Sequence, residues 1–311
     1  MTRLILTADS SSAGGVVSAR LADLAVPIEL RMVWGPPRSD AELAAFLTAR
    51  TSQPPDFHWL DSMPPPRLEK FGINELGLIE ACAHCETVEL WMETEPNAQL
   101  VLIWLLDYLG PQSKTLNIIL RHVDASLVET EPMRLAGLKF PGVAINDHHL
   151  EIASLAWQAF RAPTPRAWFN LLSKDLSVLP QLRRCVWEML EELPGRRTGL
   201  GASELRILEL IAAGYVHPFE VFPHFKQRFQ RRVYGYWKRA RSWMALRSRR
   251  ALLCQASRSG RSRWRCTMRL RVTRGIRKAV YRSPRSATTF WRAGRISAAT
   301  IRLTAGGAAR T

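Results

Sequence analysis

The segment ADSSSAGG, residues 8–15, concentrates side chains that could bind a ligand or take part in chemistry. It follows the apolar run RLILT, so the pattern predicts a buried strand, a turn rich in Ser and Gly, and then a helix. Ligands of open α/β sheets bind outside the carboxyl ends of the strands, and free N–H groups at a helix N-terminus attract anions. Asp9, Ser10, Ser11 and Gly14 are therefore candidates for holding a phosphate or a metal-bridged group. The alternative is structural, because Asp and Ser also cap helices.

A second group of polar side chains lies in LWMETEPNAQ, residues 90–99, at the end of another predicted strand. Trp91, Glu93 and Gln99 are the candidates here. In a parallel sheet, Asp9 and Glu93 are expected to line one pocket, where two carboxylates could bind a divalent cation or act as acid and base. The alternative is structural, because an acidic residue such as Glu93 at the start of the next helix interacts favourably with the helix dipole and needs no other role.

Two further clusters favour structural interpretations. CAHC, residues 82–85, has the spacing of a redox motif, but it lies at the end of a predicted helix rather than at an N-terminus that stabilises a thiolate. His148 and His149 follow Asp147, but adjacent helical residues point about 100° apart, so these side chains do not converge on a metal. Neither cluster therefore predicts a metal site, no residue is assigned as a metal ligand, and the sequence indicates no particular cofactor.

The order of elements predicts an α/β domain with a mainly parallel sheet over residues 1–125, because strand-like and helical segments alternate. PIELRMVW, residues 27–34, is predicted as its second strand. Residues 126–197 are predicted as a helical domain that packs its tryptophans, Trp157, Trp168 and Trp187, inward. Residues 198–238 resemble the start of a winged-helix module, because a helix, a turn and a helix lead towards a strand.

The charge of the chain is distributed very unevenly. The 311 residues carry a formal charge of +17, but no Asp or Glu occurs from Val221 to Thr311. Of the 44 Lys and Arg residues, 19 lie from Arg241 onward, which leaves 25 against all 27 acids in residues 1–240. The near-neutral first part is typical of a cytoplasmic protein, whereas the ending is either a basic arm or not a normal coding segment.

The cysteines and the N-terminus point to the same compartment. Five cysteines form no disulfide framework, and the chain begins directly with a strand pattern instead of a signal sequence. No stretch is long and apolar enough to span a membrane. We therefore expect a reduced, cytoplasmic protein with no membrane partner.

Four stretches resemble a bacterial family, domain of unknown function 1835, with its C-terminal companion, domain of unknown function 3658. They are LILTADSSSAGG, VWGPP, VELWMETEPNAQLVLIWLLDYL and the long segment from LAWQAF to LIAAG, and the likeness covers about residues 3–237. The resemblance implies an α/β domain followed by helices and a winged-helix-like end. It implies no activity, because the family has no established biochemical role.

Beyond VYGYW the likeness stops, and a change of reading frame accounts for the ending. When the third base of each codon is joined to the first two bases of the next, residues 295–310 can encode DFSRHNPIDRWWGGT, which resembles the family's own ending. Three more family-like segments can be read in the same frame and in family order. The hypothesis is a frame change close to Lys238, and residues 239–311 are then expected to be disordered or to form isolated helices. The alternative is a genuine arginine-rich arm that binds nucleic acid.

Two classes of function stay open on the sequence. One is a non-enzymatic binding or regulatory protein, with a sensor-like α/β domain for a small anionic ligand and a C-terminal module that contacts DNA in intact relatives. The other is a metal-assisted hydrolase or transferase that uses Asp9 and Glu93. Convergence of the two carboxylates would distinguish the enzyme from the binding protein.

Overall fold

The computed structural model describes residues 3–22, 24–33, 35, 37–50, 57–124, 127 and 130–213, together with four short strands between residues 271 and 298. The chain divides into two units, residues 1–187 and 188–311. Among the described residues, no helix is both long and apolar enough to cross a lipid bilayer.

The first unit is an α/β domain, which confirms the predicted fold class for this part of the chain. Its strands are β1 (Arg3–Thr7), β2 (Ala25–Pro27), β3 (Thr87–Glu93), β4 (Ile118–Val123) and β5 (Gly142–Ala144). They form one sheet in the order β2-β1-β3-β4-β5, in which only β5 is antiparallel to its neighbour. The fifth strand lies beyond residue 125, so the sheet continues past the boundary expected from the sequence.

At least one helix follows each strand of this unit. The helices are α1 (Ser10–Ser18), α2 (Asp40–Leu47), α3 (Pro65–Phe71), α4 (Leu78–Ala83), α5 (Pro96–Leu109), α6 (Pro132–Gly137), α7 (Asp147–Arg161) and α8 (Arg166–Leu172), with a 3₁₀ turn at Gly110–Gln112. The next helix, α9 (Leu182–Glu191), spans the division between the two units, and α10 (Ala202–Ala212) lies in the second.

Both faces of the sheet are covered, as parallel strands require. On one face, α1 packs Ala13 and Val16 against Ile5 of β1 and Trp91 of β3. Alternate residues of the same strands, such as Leu6 and Leu90, are fully buried on the opposite face. The layer on that side includes α5, which packs against β3 and is in turn covered by α7.

The second strand differs from the prediction. It is the three-residue segment Ala25–Pro27 instead of residues 27–34. The chain leaves the sheet after Ile28, and the side chain of Asn97 in α5 fixes the following residues, accepting from the Met32 N–H at 2.8 Å and donating to the Leu30 carbonyl at 2.9 Å. These hydrogen bonds replace the strand pairing that the apolar run suggests.

The predicted inward packing of the tryptophans holds for two of the three. Trp157 and Trp168 are buried, and both pack against Phe160. Trp187 is 51% exposed, which corrects the expectation for that residue. It lies on the strongly amphipathic helix α9, where Val186 takes the buried position next to it.

The second unit is described only in part. The connection from α9 to α10 is closed by Glu192, which accepts hydrogen bonds from the N–H and the hydroxyl of Ser203. Most of residues 214–311 lie outside the described residues, including the expected continuation of the winged-helix module. The described residues of this range form four short strands. In them, β6 (Arg271–Val272) pairs with β9 (Ile296–Ala298), and β7 (Lys278–Arg282) pairs with β8 (Thr288–Arg292).

These four strands differ from the isolated helices that were one expectation for residues 239–311. Both sheets are two-stranded and antiparallel. A two-stranded sheet is at best marginally stable on its own in water. Disorder of this segment therefore stays a prediction.

Candidate functional site

The two predicted groups of site residues follow two neighbouring strands, β1 and β3, at a topological switch point. From β1 the chain crosses through α1 to β2 on one side, whereas β3 pairs with β1 on the other side. In open α/β sheets this reversal of strand order leaves a crevice at the carboxyl ends of the two central strands, and ligands bind there. Asp9 follows β1 and Glu93 ends β3, so both residues lie at this edge.

Three carboxylates come shortly after the same register position of three neighbouring strands. Thr7 is in register with Pro27 on one side and with Trp91 on the other. Asp9, Glu29 and Glu93 each come two residues after one of these partners. Glu29 was missed by the sequence interpretation, because the second strand was placed over the segment that contains it.

Asp9 has the structural role that was considered as the alternative to ligand binding. It is the N-cap residue of α1, and its carboxylate accepts from the Ser12 N–H at 2.8 Å and from the Ser12 hydroxyl at 3.0 Å. The Thr7 hydroxyl donates to the Asp9 carbonyl at 2.9 Å and fixes the turn between strand and helix. The segment therefore starts α1 sharply at the mouth of the crevice.

Two N–H groups at the start of α1 already donate hydrogen bonds to carboxylates. Glu29 accepts from the Ser10 N–H at 3.1 Å, while Asp9 accepts from the Ser12 N–H. The expected phosphate cradle would need these donors, and a phosphate would also meet the negative charges of Asp9 and Glu29. Electrostatics at this helix end therefore disfavours the anionic ligand predicted from the sequence. Ser10, Ser11 and Gly14 are exposed on the same helix.

Glu93 and Gln99 support the neighbouring strand end. Glu93 accepts from the Leu127 N–H at 2.6 Å, and the Gln99 side chain, which is buried, donates to the Glu93 carbonyl at 2.8 Å. The carboxylate of Asp9 thus binds a main-chain N–H group of α1, whereas that of Glu93 binds one on the connection after β4. Among the described residues, no group of three or more His, Cys, Asp or Glu side chains is arranged to hold a metal ion.

Trp91 belongs to the core beneath α1. It is 6% exposed, it packs edge-on against Phe140 at 5.6 Å between ring centroids, and its indole N–H donates to Glu89 at 2.6 Å. Its ring therefore belongs to the hydrophobic core, and its one polar group already has a partner.

A buried ion pair lies directly below this site. Arg121 of β4 donates to both carboxylate oxygens of Glu89 in β3, at 2.8 Å and 3.1 Å, and Arg3 approaches the same carboxylate at 3.7 Å. Arg121 also donates to the Phe140 carbonyl and so fixes the segment before β5. Burial raises the pKa of Glu89, but the hydrogen bonds from Arg121 and Trp91 and the nearby arginine charges outweigh it, so the pKa lies below its usual range.

The CAHC segment has the structural role that its position indicates. Burial raises the pKa of Cys82 to about 12 and also raises the pKa of Cys85. Both thiols are therefore protonated at neutral pH and are poor nucleophiles. In the DHH segment, residues 147–149, His149 is buried and its N–H donates to the Asn146 side chain, whereas the exposed His148 lies 3.7 Å from Glu151.

Comparison of the chain with family models, curated proteins and solved structures gives no match. What the crevice can do is therefore inferred from its own residues.

The capping role of Asp9 gives a testable prediction. We expect Asp9→Ala to lower the free energy of unfolding by about 1 kcal/mol, because the Ser12 N–H loses its acceptor, whereas Asp9→Asn keeps an oxygen in place and costs little. Urea denaturation followed by tryptophan fluorescence measures both variants. An equal loss for Asn and Ala would contradict the capping role and would point to the charge itself.

His122, in β4, gives a second prediction. Both ring nitrogens are buried, and no described group lies within hydrogen-bonding distance of either. Burial and the nearby His149 lower the pKa of His122. We expect His122→Leu to raise the free energy of unfolding by about 1 kcal/mol at neutral pH, because an unpaired buried polar group is removed.

The pH dependence of this variant has a definite sign. Because the folded-state pKa of His122 lies below its unfolded value of about 6.5, the wild-type protein loses stability as the pH falls below that value. The advantage of His122→Leu should therefore grow between pH 7 and pH 5. Urea midpoints measured across this range test it, and a constant difference would show that His122 does not titrate on unfolding.

Proposed function

We propose that this protein binds a small polar ligand at the crevice between the ends of β1 and β3. The observation that carries the proposal is the switch point itself, where α1 begins immediately after the central strand β1. Exposed Ser10 and Ser11 offer hydroxyl groups at its mouth, and Asp9, Glu29 and Glu93 make the edge acidic. Binding, not catalysis, is favoured because each carboxylate already stabilises a main-chain N–H group.

The negative charge of Asp9, Glu29 and Glu93 at this edge of the sheet favours one class of ligand. A compound with an amine or several hydroxyl groups can bond to carboxylate and serine oxygens, whereas a phosphate would be repelled by them. We therefore propose a hydroxylated or amine-bearing small molecule in place of the anion expected from the sequence.

Thermal-shift measurements on the full chain test this function. The probes are sugars, nucleosides, free amino acids and polyamines, with inorganic phosphate and Mg²⁺ as further arms. Calorimetry of a stabilising probe then compares Asp9→Asn, Glu29→Gln and Ser11→Leu, with Glu69→Gln on the exposed surface of α3 as control. We expect an amine probe to bind the Glu29→Gln variant roughly tenfold more weakly, the loss typical of one charged contact. A probe that binds all three variants with unchanged affinity occupies another site and contradicts the proposal.

We also propose membership of the family of domain of unknown function 1835 and a frame change near Lys238. The support is the order of the family-like segments and the absence of acidic residues from Val221 onward. On this proposal α10 belongs to a winged-helix-like module that is complete, and able to contact DNA, only in the unshifted frame. Resequencing the codons for residues 236–241 tests the frame, since an intact frame relative to close relatives would refute the change.

A further inference from the structure

The outer edge of β5, the last strand of the sheet, is open to solvent. All of its residues, Gly142–Ala144, are exposed, whereas the residues of β2 at the opposite end of the sheet are buried. No described strand pairs with the outer side of β5. An open edge offers main-chain hydrogen bonds to another strand, and proteins usually cover such an edge or place charges on it. Neither protection is present in β5.

The pairing with β4 determines which main-chain groups of β5 point outward. The Ile145 N–H donates to the Ile118 carbonyl at 3.0 Å, so these two residues form a hydrogen-bonded pair next to β5. Hydrogen-bonded and non-hydrogen-bonded pairs alternate along an antiparallel ladder. Val143 therefore directs its N–H and carbonyl to β4, whereas Gly142 and Ala144 direct theirs away from the sheet.

These outward groups are self-complementary about Val143. A second copy of β5 can lie antiparallel with the two Val143 residues opposite each other, so that Gly142 of each copy pairs with Ala144 of the other. All outward N–H groups of the two strands then meet outward carbonyls. Pro141 has no N–H, but it lies at a position where this register needs none.

Shifted registers lose hydrogen bonds. A shift towards α7 would pair β5 with Asn146, whose N–H donates to the ring of His149 and whose carbonyl accepts from the Leu150 N–H. A shift the other way would pair it with Phe140, which is buried and whose carbonyl accepts from Arg121. The main chain around β5 thus favours the register centred on Val143.

The side chains around β5 also suit a second copy. Val143 is 45% exposed, and at the centre of the pairing its side chain lies against the same residue of the other copy. Two more large exposed apolar residues, Met133 and Leu138, lie on the segment before β5. The register brings the exposed Lys139 of one copy towards the exposed Asp147 of the other, so both ends of the pairing place opposite charges together.

We propose that β5 is a homodimer interface, at which two copies of the chain pair their β5 strands antiparallel about Val143 into one continuous sheet. Because the paired strands are short, the contact is small, and the dimer should dissociate in the micromolar range. The interface includes none of the residues at the switch point, so it goes beyond the proposed function and does not depend on a ligand.

Disulfide trapping in the full chain tests the register. Background thiols are first removed with Cys85→Ser, Cys254→Ser and Cys266→Ser. Opposed residues of a non-hydrogen-bonded pair have Cα atoms about 4.5 Å apart, which a disulfide can bridge. Val143→Cys should therefore form a linked dimer under mild oxidation. Ala144→Cys is the matched control, because it faces Gly142 instead of itself and should form several-fold less linked dimer.

Sedimentation velocity of the reduced full chain, from low to several hundred micromolar, tests the reversible dimer. Val143→Lys places like charges opposite each other and should abolish it. Lys139→Glu should weaken it roughly threefold, the effect of an exposed charge pair, and Lys139→Glu/Asp147→Lys should restore it. The charge-reversed pair keeps the test decisive if Val143→Lys does not fold. Glu69→Lys, on the exposed surface of α3, should leave the dimer unchanged.

Amide hydrogen exchange separates the possible occupants of the edge. In the proposed dimer, exchange of the Gly142 and Ala144 amides slows as the concentration rises, whereas the Val143 amide, bonded to β4, does not change. Slow exchange of both outward amides in a monomer would show that another part of the same chain covers the edge, which overturns the proposal. A monomer at every concentration, equal disulfide yields from the two cysteine variants, or a dimer that Val143→Lys and Lys139→Glu leave intact would also overturn it.

Discussion

Arg121→Met is expected to lower the free energy of unfolding by about 3 kcal/mol, the largest effect predicted for a single side chain outside the crevice. The side chain of Glu89 is 4% exposed and would keep its charge without its main partner. Loss of the Arg121 hydrogen bond to the Phe140 carbonyl adds to the effect. The value is at the lower end of the range for buried pairs, because the Arg121 side chain is 24% exposed. Urea denaturation at pH 7 measures it.

A second variant and a surface control isolate the buried charge. In Glu89→Gln/Arg121→Met, the amide oxygen still accepts from the Trp91 indole but carries no charge, so this double variant should be more stable than Arg121→Met alone. Arg50→Met removes the exposed pair with Asp61, whose side chains are 37% and 46% exposed, and should cost less than about 1 kcal/mol. A loss in Arg121→Met no larger than in this control would show that Glu89 is not stabilised by its partner.

The same pair predicts how stability depends on acid. Because the folded-state pKa of Glu89 lies below its unfolded value, the stabilisation is present above the unfolded pKa and is lost as the pH falls through the folded one. Arg121→Met should remove this contribution, so its stability should depend less on pH in the acid range than that of the wild type.

The sequence indicated that Asp9 and Glu93 follow strands of one parallel sheet, but it gave no strand order. Alternating strands and helices imply that Asp9 and Glu93 lie at one edge, since all parallel strands end there. The adjacency of β1 and β3, which creates the switch point, depends on long-range pairing that no local pattern encodes. The contact of Glu29 with Ser10 also depends on where β2 ends, and the apolar run after Pro27 concealed that end.

Trp91 was a ligand-binding candidate from the sequence, but in the structure it is a core residue. Its position at a strand end suggested a ligand contact, but its partners Arg121 and Phe140 come from segments thirty or more residues away. A signal for them was present, because TVELWM and IILRHV each place one charged residue of opposite sign within an apolar strand. Two such charges in neighbouring buried strands indicate an ion pair.

Gly15→Ala is expected to destabilise the first unit, whereas Gly14→Ala should stabilise it, although the two residues are adjacent in α1. A Cβ on Gly15 would lie 2.2 Å from the Leu127 carbonyl oxygen, a main-chain atom that cannot move alone, so overpacking should cost about 1–3 kcal/mol. A Cβ on Gly14 meets nothing within 4 Å, and Ala in a helix is favoured over Gly by about 0.5–1 kcal/mol. Urea midpoints of both variants measure the difference, and hydrogen exchange of the Leu127 amide should quicken only in Gly15→Ala. Equal midpoints for the two variants would mean that α1 does not hold Leu127 in place.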